Sequence, residues 1–219
     1  MITGIFRPLP AALCALAIVL FARAVTAVRG IFSGITPDAT QRIYFANHAS
    51  HGDFVLVWTV LPPRLRRVTR PVAAAEYWQA GALRRFVGQK VFNALLIDRD
   101  PATRQADPVA QMAQALDEGA SLIVFPEGTR NVTDAPLLPF RSGLYHLARA
   151  RPATELVPVW IDNLNRVLPK GGLVPIPLIC TVTFGAPLHL GDDETKDAFL
   201  ARATAALIGL SPKAERPPQ

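Results

Sequence analysis

Within the segment Asn47-His48-Ala49-Ser50-His51-Gly52-Asp53 an imidazole and a carboxylate lie five residues apart. On a helix that spacing puts the two side chains on different faces, and on a strand it puts them on opposite sides. They meet only if the chain turns between them, and Gly52 permits such a turn. An imidazole held by a carboxylate is a base with a fixed tautomer, the arrangement that takes a proton from an alcohol. Other readings of these residues stay open at this level. Asp53 could serve only as the cap of a helix beginning there. His48 and His51 have a spacing used by metal ligands, but no further His, Cys or acid cluster completes a set, so no metal is expected. Ser50 lies outside any Gly-x-Ser-x-Gly elbow and reads as a turn residue rather than a nucleophile. His146 and His189 are isolated and read as structural or exposed.

A second candidate is Phe125-Pro126-Glu127-Gly128-Thr129-Arg130, which ends the apolar run at 121–125. Loops at strand ends are where α/β folds place ligands. A Pro-Glu-Gly turn leaves backbone N–H groups and Arg130 facing a cleft, a means of holding an anion. Taken alone, the segment reads as an ordinary turn with a solvated arginine.

The elements around these segments alternate. Residues 42–46 are aromatic and β-branched and predict a strand ending at Asn47. Residues 53–61 predict a helix stopped by Pro62-Pro63. Residues 67–75 are strand-like, with Pro71 making the strand irregular or placing it at an edge. A short helix at 81–90 and a short strand at 94–97 follow. Asp107-Pro108 is a helix start that ends at Gly119. A helix at 142–150, core strands at 156–161 and 179–184, and a closing helix at 192–208 complete the pattern. Such alternation predicts a single α/β domain with a central, largely buried sheet flanked by helices. The domain is expected over residues 42–210, after an apolar segment at 1–30 and a linker at 31–41. A Pro-rich tail at 211–219 is expected to be disordered.

Composition narrows the setting. The chain of 219 residues is 50% hydrophobic and 18% charged, apolar enough to point to lipid contact. Its net charge of +6 is dominated by arginine, whose planar fork suits phosphate. Arg64, Arg66, Arg67 and Arg70, with Arg84 and Arg85, form a basic cluster that reads either as a dock for anionic lipid or an acidic carrier protein, or as a solvated face. Cys14 and Cys180 sit in apolar runs and imply no disulfide, which fits a reducing cytosol. Residues 8–22 are uncharged, between Arg7 and Arg23. A spanning helix needs roughly 20 apolar residues, so the run is short, and 9–28 suffices only if Arg23 snorkels. A membrane anchor or interfacial helix is the expectation; a cleaved signal peptide and a buried core helix are the alternatives.

Taken together, the motifs resemble the glycerolipid acyltransferase family of phospholipid synthesis. Asn47-His48-x4-Asp53 is similar to its first block, Ile97-Asp98-Arg99 to its second, Phe125–Arg130 to its third and Val157-Pro158-Val159 to its fourth, all in order. Asn131 stands where the family often has serine, and Arg141 where lysine is frequent. The resemblance implies transfer of a fatty acyl group from a thioester, acyl-CoA or acyl carrier protein, to a lysophospholipid hydroxyl. 1-Acyl-glycerol-3-phosphate is the leading acceptor, and another lyso-lipid such as a lyso-aminolipid is the alternative. In that reading His48 is the general base and Asp53 orients it. Arg99, Gly128, Thr129, Arg130 and Arg141 hold the acceptor phosphate, and Glu127 holds an acceptor hydroxyl. No bound cofactor, metal or acyl-enzyme is implied. The expected setting is the inner membrane, with the domain facing the cytoplasm and lipids as partners. Rival classes are a lipid or thioester hydrolase and a membrane-tethered lipid-binding protein. Nucleic acid is not an expected partner, because the arginines are not interleaved with aromatics.

Overall fold

The computed structural model describes residues 8–100, 102, 104–162 and 179–212. Most of the expected disordered tail lies outside the described residues. Seven strands form one sheet: β1 (Arg29–Phe32), β2 (Arg42–Ala46), β3 (Thr69–Ala74), β4 (Leu95–Ile97), β5 (Ser121–Val124), β6 (Glu155–Asp162) and β7 (Thr181–Phe184). Their order is β1-β7-β6-β2-β5-β3-β4. All neighbours are parallel except β6 and β7. Parallel strands are covered on both faces and read as continuous apolar runs rather than alternating ones. All residues of β2 and β5 are buried.

The helices are α1 (Leu9–Thr26), α2 (Asp53–Val60), α3 (Pro63–Val68), α4 (Ala75–Gln79), α5 (Ala82–Phe86), α6 (Pro108–Asp117), α7 (Gly143–Ala150) and α8 (Lys196–Ile208). A π-helical turn at Val87–Val91 continues α5. One apolar layer packs α1, α2 and the π turn against Tyr44, Ile123 and Val157. The other packs α6, α7 and α8 against Ile43, Phe45 and Leu122. Consecutive residues of one strand thus serve opposite layers, as the two-residue period of a pleated strand requires.

The chain α/β reading therefore holds, and three details differ from the sequence expectation. Pro71 is not at a sheet edge: β3 lies between β5 and β4. Thr69, Arg70 and Pro71 pair with β5, and pairing with β4 begins at Val72. The missing N–H falls where the strand changes neighbours, so the ladder loses little. The segment expected as anchor end and linker contains β1, an edge strand paired along Arg29–Phe32 with β7. The closing helix starts at Lys196 rather than 192, because the Thr195 side chain accepts from Ala198 N–H and caps it there.

α1 is long and apolar enough to cross a membrane by length and composition. It packs along the domain through Ala11, Ala15, Val19, Ala22 and Thr26, spaced to form one stripe. Leu9, Leu13, Leu16, Leu20 and Phe21 lie on the other side, exposed.

Candidate active site

The carboxyl ends of β2, β3, β4 and β5 share one edge, since these four strands run parallel. All but one of the sequence-singled segments leave the sheet there: Asn47-His48 after β2, Asp98-Arg99 after β4, and Phe125–Arg130 after β5. Asn47 fixes the first exit. Its side-chain amide donates to Ile161 O at 3.0 Å and accepts from Ile161 N–H at 2.7 Å, tying the end of β2 to β6.

The turn from Asn47 to α2 brings His48 Nδ1 to 2.8 Å from Asp53 Oδ2. The same oxygen accepts from the backbone N–H groups of Ala49 at 2.7 Å and Ser50 at 2.8 Å. With two backbone N–H groups already donating to it, Oδ2 is an acceptor, so Nδ1 donates to it and Nε2 is the ring nitrogen turned away from Asp53. Asp53 is the first residue of α2 and makes no cap bond to it; its carboxylate organises the turn before the helix. At 1% exposure Asp53 is shut off from solvent. The imidazole stacks on Phe125, with centroids 4.3 Å apart and planes inclined by 22°.

Glu127 is equally buried, at 2% exposure. Its Oε1 accepts from His48 N–H at 2.7 Å and its Oε2 from Leu138 N–H at 2.8 Å. Burial raises its pKa, and those two backbone donors work against the rise. Asn131 N–H then donates to His48 O at 2.6 Å. Glu127 and Asn131 together lock both sides of the His48 peptide to the loop after β5.

His48 lies between two cavities. The larger, about 500 Å³, is lined by Arg99, Gly128, Thr129 and Arg141, as well as by Asp98, Arg104 and apolar groups including Val72, Met112, Leu144 and Leu147. The smaller, about 300 Å³, has Asp53, Glu127, Asn131 and Trp160 in its wall. The site residues named from sequence thus divide. Arg99, Gly128, Thr129 and Arg141 join His48 around the larger cavity, while Glu127 borders the smaller one with its oxygens taken by backbone donors. Arg130 is exposed and lines neither; it lies toward His51, whose pKa is lowered by burial first and by the Arg130 charge second.

Gly128 has a backbone reason and a packing reason to be glycine. Its φ is +71°, and a Cβ there would lie 2.4 Å from Arg141 Nε. Arg141 crosses over this glycine, with its own N–H bonded to Pro126 O at 2.8 Å. Among the described residues, Arg99, Arg104 and Arg141 have no carboxylate or carbonyl partner, whereas Arg42, Arg70, Arg151 and Arg202 are each paired with an acid. Among these residues no group of three or more His, Cys, Asp or Glu could hold a metal ion.

Sequence reading missed Arg104 and the apolar lining. Arg104 lies in no motif, and its place at the cavity depends on how the chain runs between β4 and α6. The clamp role of Asn47 was missed because its partner is 114 residues away.

An oriented histidine beside unpaired guanidiniums and apolar walls is an arrangement chemically able to move a proton on an anionic substrate with an apolar part. A sequence model of the Acyltransferase family matches residues 33–162. The chain belongs to that family. It is 28% identical over 182 residues to a 1-acyl-sn-glycerol-3-phosphate acyltransferase of Cocos nucifera, covering 81% of this chain and 56% of that protein. It is 29% identical over 168 residues to one of Escherichia coli strain K12, covering 71% and 61%. The chain thus spans a little over half the length of these curated relatives. The crystal structure of the 1-acyl-sn-glycerophosphate (LPA) acyltransferase PlsC from Thermotoga maritima superposes with a TM-score of 0.69 at 18% identity, covering 98% of this chain and 86% of that one. That likeness is one of fold.

Proposed function

We propose that this chain is a membrane-bound O-acyltransferase that moves a fatty acyl group from a thioester, acyl-CoA or acyl carrier protein, to the hydroxyl of 1-acyl-sn-glycerol-3-phosphate. The product is phosphatidic acid. The observation that carries the reading is the larger cavity, where His48 faces unpaired arginines and apolar walls together. A lysophosphatidate brings a phosphate monoester with charge near −1.5 to −2 and an acyl chain, and the cavity offers a counterpart to each.

In the proposed step His48 Nε2 takes the proton of the acceptor hydroxyl as that oxygen attacks the thioester carbonyl. The carbon–sulfur bond breaks, and the thiolate leaves with the proton returned by the imidazolium. Asp53 holds the ring and stabilises its cationic form. Arg99, Arg104 and Arg141 bind the phosphate, and the Gly128-Thr129 backbone lies beside them. Glu127 acts on the acceptor only indirectly, by fixing the His48 peptide. General-base catalysis is worth roughly 10²–10⁴-fold, and holding both reactants in line supplies much of the remainder.

α1 is the proposed membrane element. A helix docked along its length on the domain, with its other face apolar and exposed, suits insertion into one leaflet better than a crossing. The inner membrane, with the domain on the cytoplasmic side, is the proposed location. The test is a panel of lyso-lipids offered to purified protein with acyl-CoA and with acyl carrier protein. Phosphatidic acid formation in preference to acylated phosphodiester or amino lipids is the expected outcome. Free fatty acid without acceptor consumption would instead make the chain a hydrolase.

A further inference from the structure

The α4–α5 hairpin is the part of the basic cluster that touches the catalytic turn. α4 begins two residues after Ala73, which lines the larger cavity. The Tyr77 ring stacks on His51, with centroids 5.7 Å apart and planes inclined by 14°. The Arg84 guanidinium covers the same ring at 4.6 Å from its centroid. Between the two short helices Gly81, at φ +115°, makes the turn. Just beyond it Leu83 is 76% exposed, beside exposed Arg84 and Arg85.

The π-helical turn that continues the hairpin packs against α1. Trp78, Phe86 and Val87 pack in the same apolar layer as Ala11, Ala15 and Val19. Ten large apolar side chains are exposed among the described residues, and seven of them lie on α1 or on this hairpin. Elsewhere in the basic cluster Arg67 is exposed, whereas Arg64 donates to Pro37 O. Arg66 donates to Leu61 O and lies over Trp58, and Arg70 donates to Asn93 O and pairs with Glu118.

We infer that the α4–α5 hairpin is a second lipid-contacting element, which seats Leu83 among the acyl chains and Arg84 and Arg85 among the headgroups of an anionic bilayer. The inference rests on the proposal that the acceptor is a membrane lipid. An exposed leucine followed by two exposed arginines has the composition of an interfacial segment, apolar toward the chains and cationic toward the phosphates. An acidic carrier protein would use the same cations, but it gives no account of a bare leucine between Ala82 and Arg84 on the surface. With the hairpin in the headgroup layer, the Tyr77–His51 contact holds the catalytic turn at the membrane surface. A lysolipid then reaches His48 by moving along the leaflet, without leaving it.

The experiment uses the full chain and needs no turnover. Leu83→Trp and, at exposed Gln114 of α6, Gln114→Trp are compared on vesicles carrying spin labels on the lipid acyl chains, each as its difference from the parent chain with its three native tryptophans. On vesicles containing phosphatidylglycerol, Leu83→Trp is expected to shift to the blue and be quenched, less so on phosphatidylcholine alone, with Gln114→Trp unchanged. Equal behaviour of the two variants overturns the inference. A wrong acceptor leaves this result untouched, which separates it from the functional proposal. In the second arm, Leu83→Glu with Arg85→Glu raises the apparent KM for vesicle-borne acceptor several-fold, with turnover of a short-chain monomeric acceptor unchanged. Slowing confined to the carrier-protein donor, whatever the acceptor's form, overturns the bilayer in favour of a protein dock.

Discussion

The two walls beside His48 are built on opposite electrostatic plans. On one side two carboxylates, Asp53 and Glu127, are sealed from solvent, and four backbone N–H groups and the imidazole itself donate to them. On the other side Arg99, Arg104 and Arg141 line a cavity with no acid paired to them among the described residues. Buried charges persist in a fold only when satisfied, so the carboxylate wall is complete as it stands and serves to hold geometry. The three guanidiniums are exposed and solvated at the cavity, so they remain available to an anionic ligand. The comparison separates residues that position from residues that bind, even where, as with Glu127 and its neighbours Gly128 and Thr129, they share one motif.

The most severe way to break the positioning wall is to remove its endpoint. His48→Ala is expected to lower kcat by roughly 10²–10⁴-fold, with the thermal midpoint little changed because the ring is replaced at a cavity edge. Asp53→Asn should fall in the same range while leaving more of the fold at risk, since an amide nitrogen in place of Oδ2 would face two backbone donors. Single-turnover rates measured beside thermal unfolding separate the two effects. A His48→Ala protein with near-normal turnover would sink the general-base proposal.

The binding wall should fail differently. Arg99→Ala or Arg141→Ala removes a charge-assisted bond worth about 1.5–3 kcal/mol, hence roughly tenfold to a hundredfold in affinity. That loss belongs in KM, with kcat nearly kept, because the phosphate is gripped equally in the ground and transition states. Arg104→Ala should act in the same direction and more weakly, since Arg104 follows a loop rather than a strand end. If these variants lost kcat and kept KM, the arginines would belong with the positioning residues, and the two walls would not differ in role.

This division also marks what could be read from the chain alone. The sheet was legible because parallel strands such as 42–46 and 121–124 are continuous apolar runs bounded by turn residues. The meeting of His48 with Asp53 was legible only as a condition, that the chain must turn, and Oδ2 fulfils it by gathering the N–H groups of Ala49 and Ser50. Glu127 could not be sorted from Arg130 by sequence, since both sit in one hexapeptide. What separates them is Leu138, whose N–H completes the carboxylate from eleven residues away. Arg104 had no signal at all, because a cavity wall is assembled from elements that carry no shared pattern.

Glu127→Gln tests that sorting at moderate size. One oxygen becomes an NH₂ group that must face the N–H of His48 or of Leu138, leaving a buried donor without an acceptor. The cost is about 1–3 kcal/mol of stability, read as a lower denaturant midpoint at unchanged slope. Turnover should drop several-fold through displacement of His48, with KM for the acceptor nearly constant. A Glu127→Gln protein of normal stability whose KM alone rises would return Glu127 to the substrate-binding set.

Ser50→Ala should give the smallest effect, and it bears on whether acyl transfer is direct. Ser50 Oγ accepts from Gly52 N–H at 3.3 Å, a long bond within the catalytic turn. Its loss leaves an N–H that is only half-buried and can turn to water, so about 0.5 kcal/mol, or roughly twofold in rate, is the expected penalty. A two-step route through an acyl-serine would need Ser50, two residues from His48 in the chain, as its nucleophile. In that case Ser50→Ala would abolish turnover, and mixing enzyme with thioester alone would release a burst of thiol equal to the enzyme present. Direct transfer predicts no burst and near-normal turnover in the variant. The outcome decides whether His48 activates the acceptor itself or a residue two positions along its own chain.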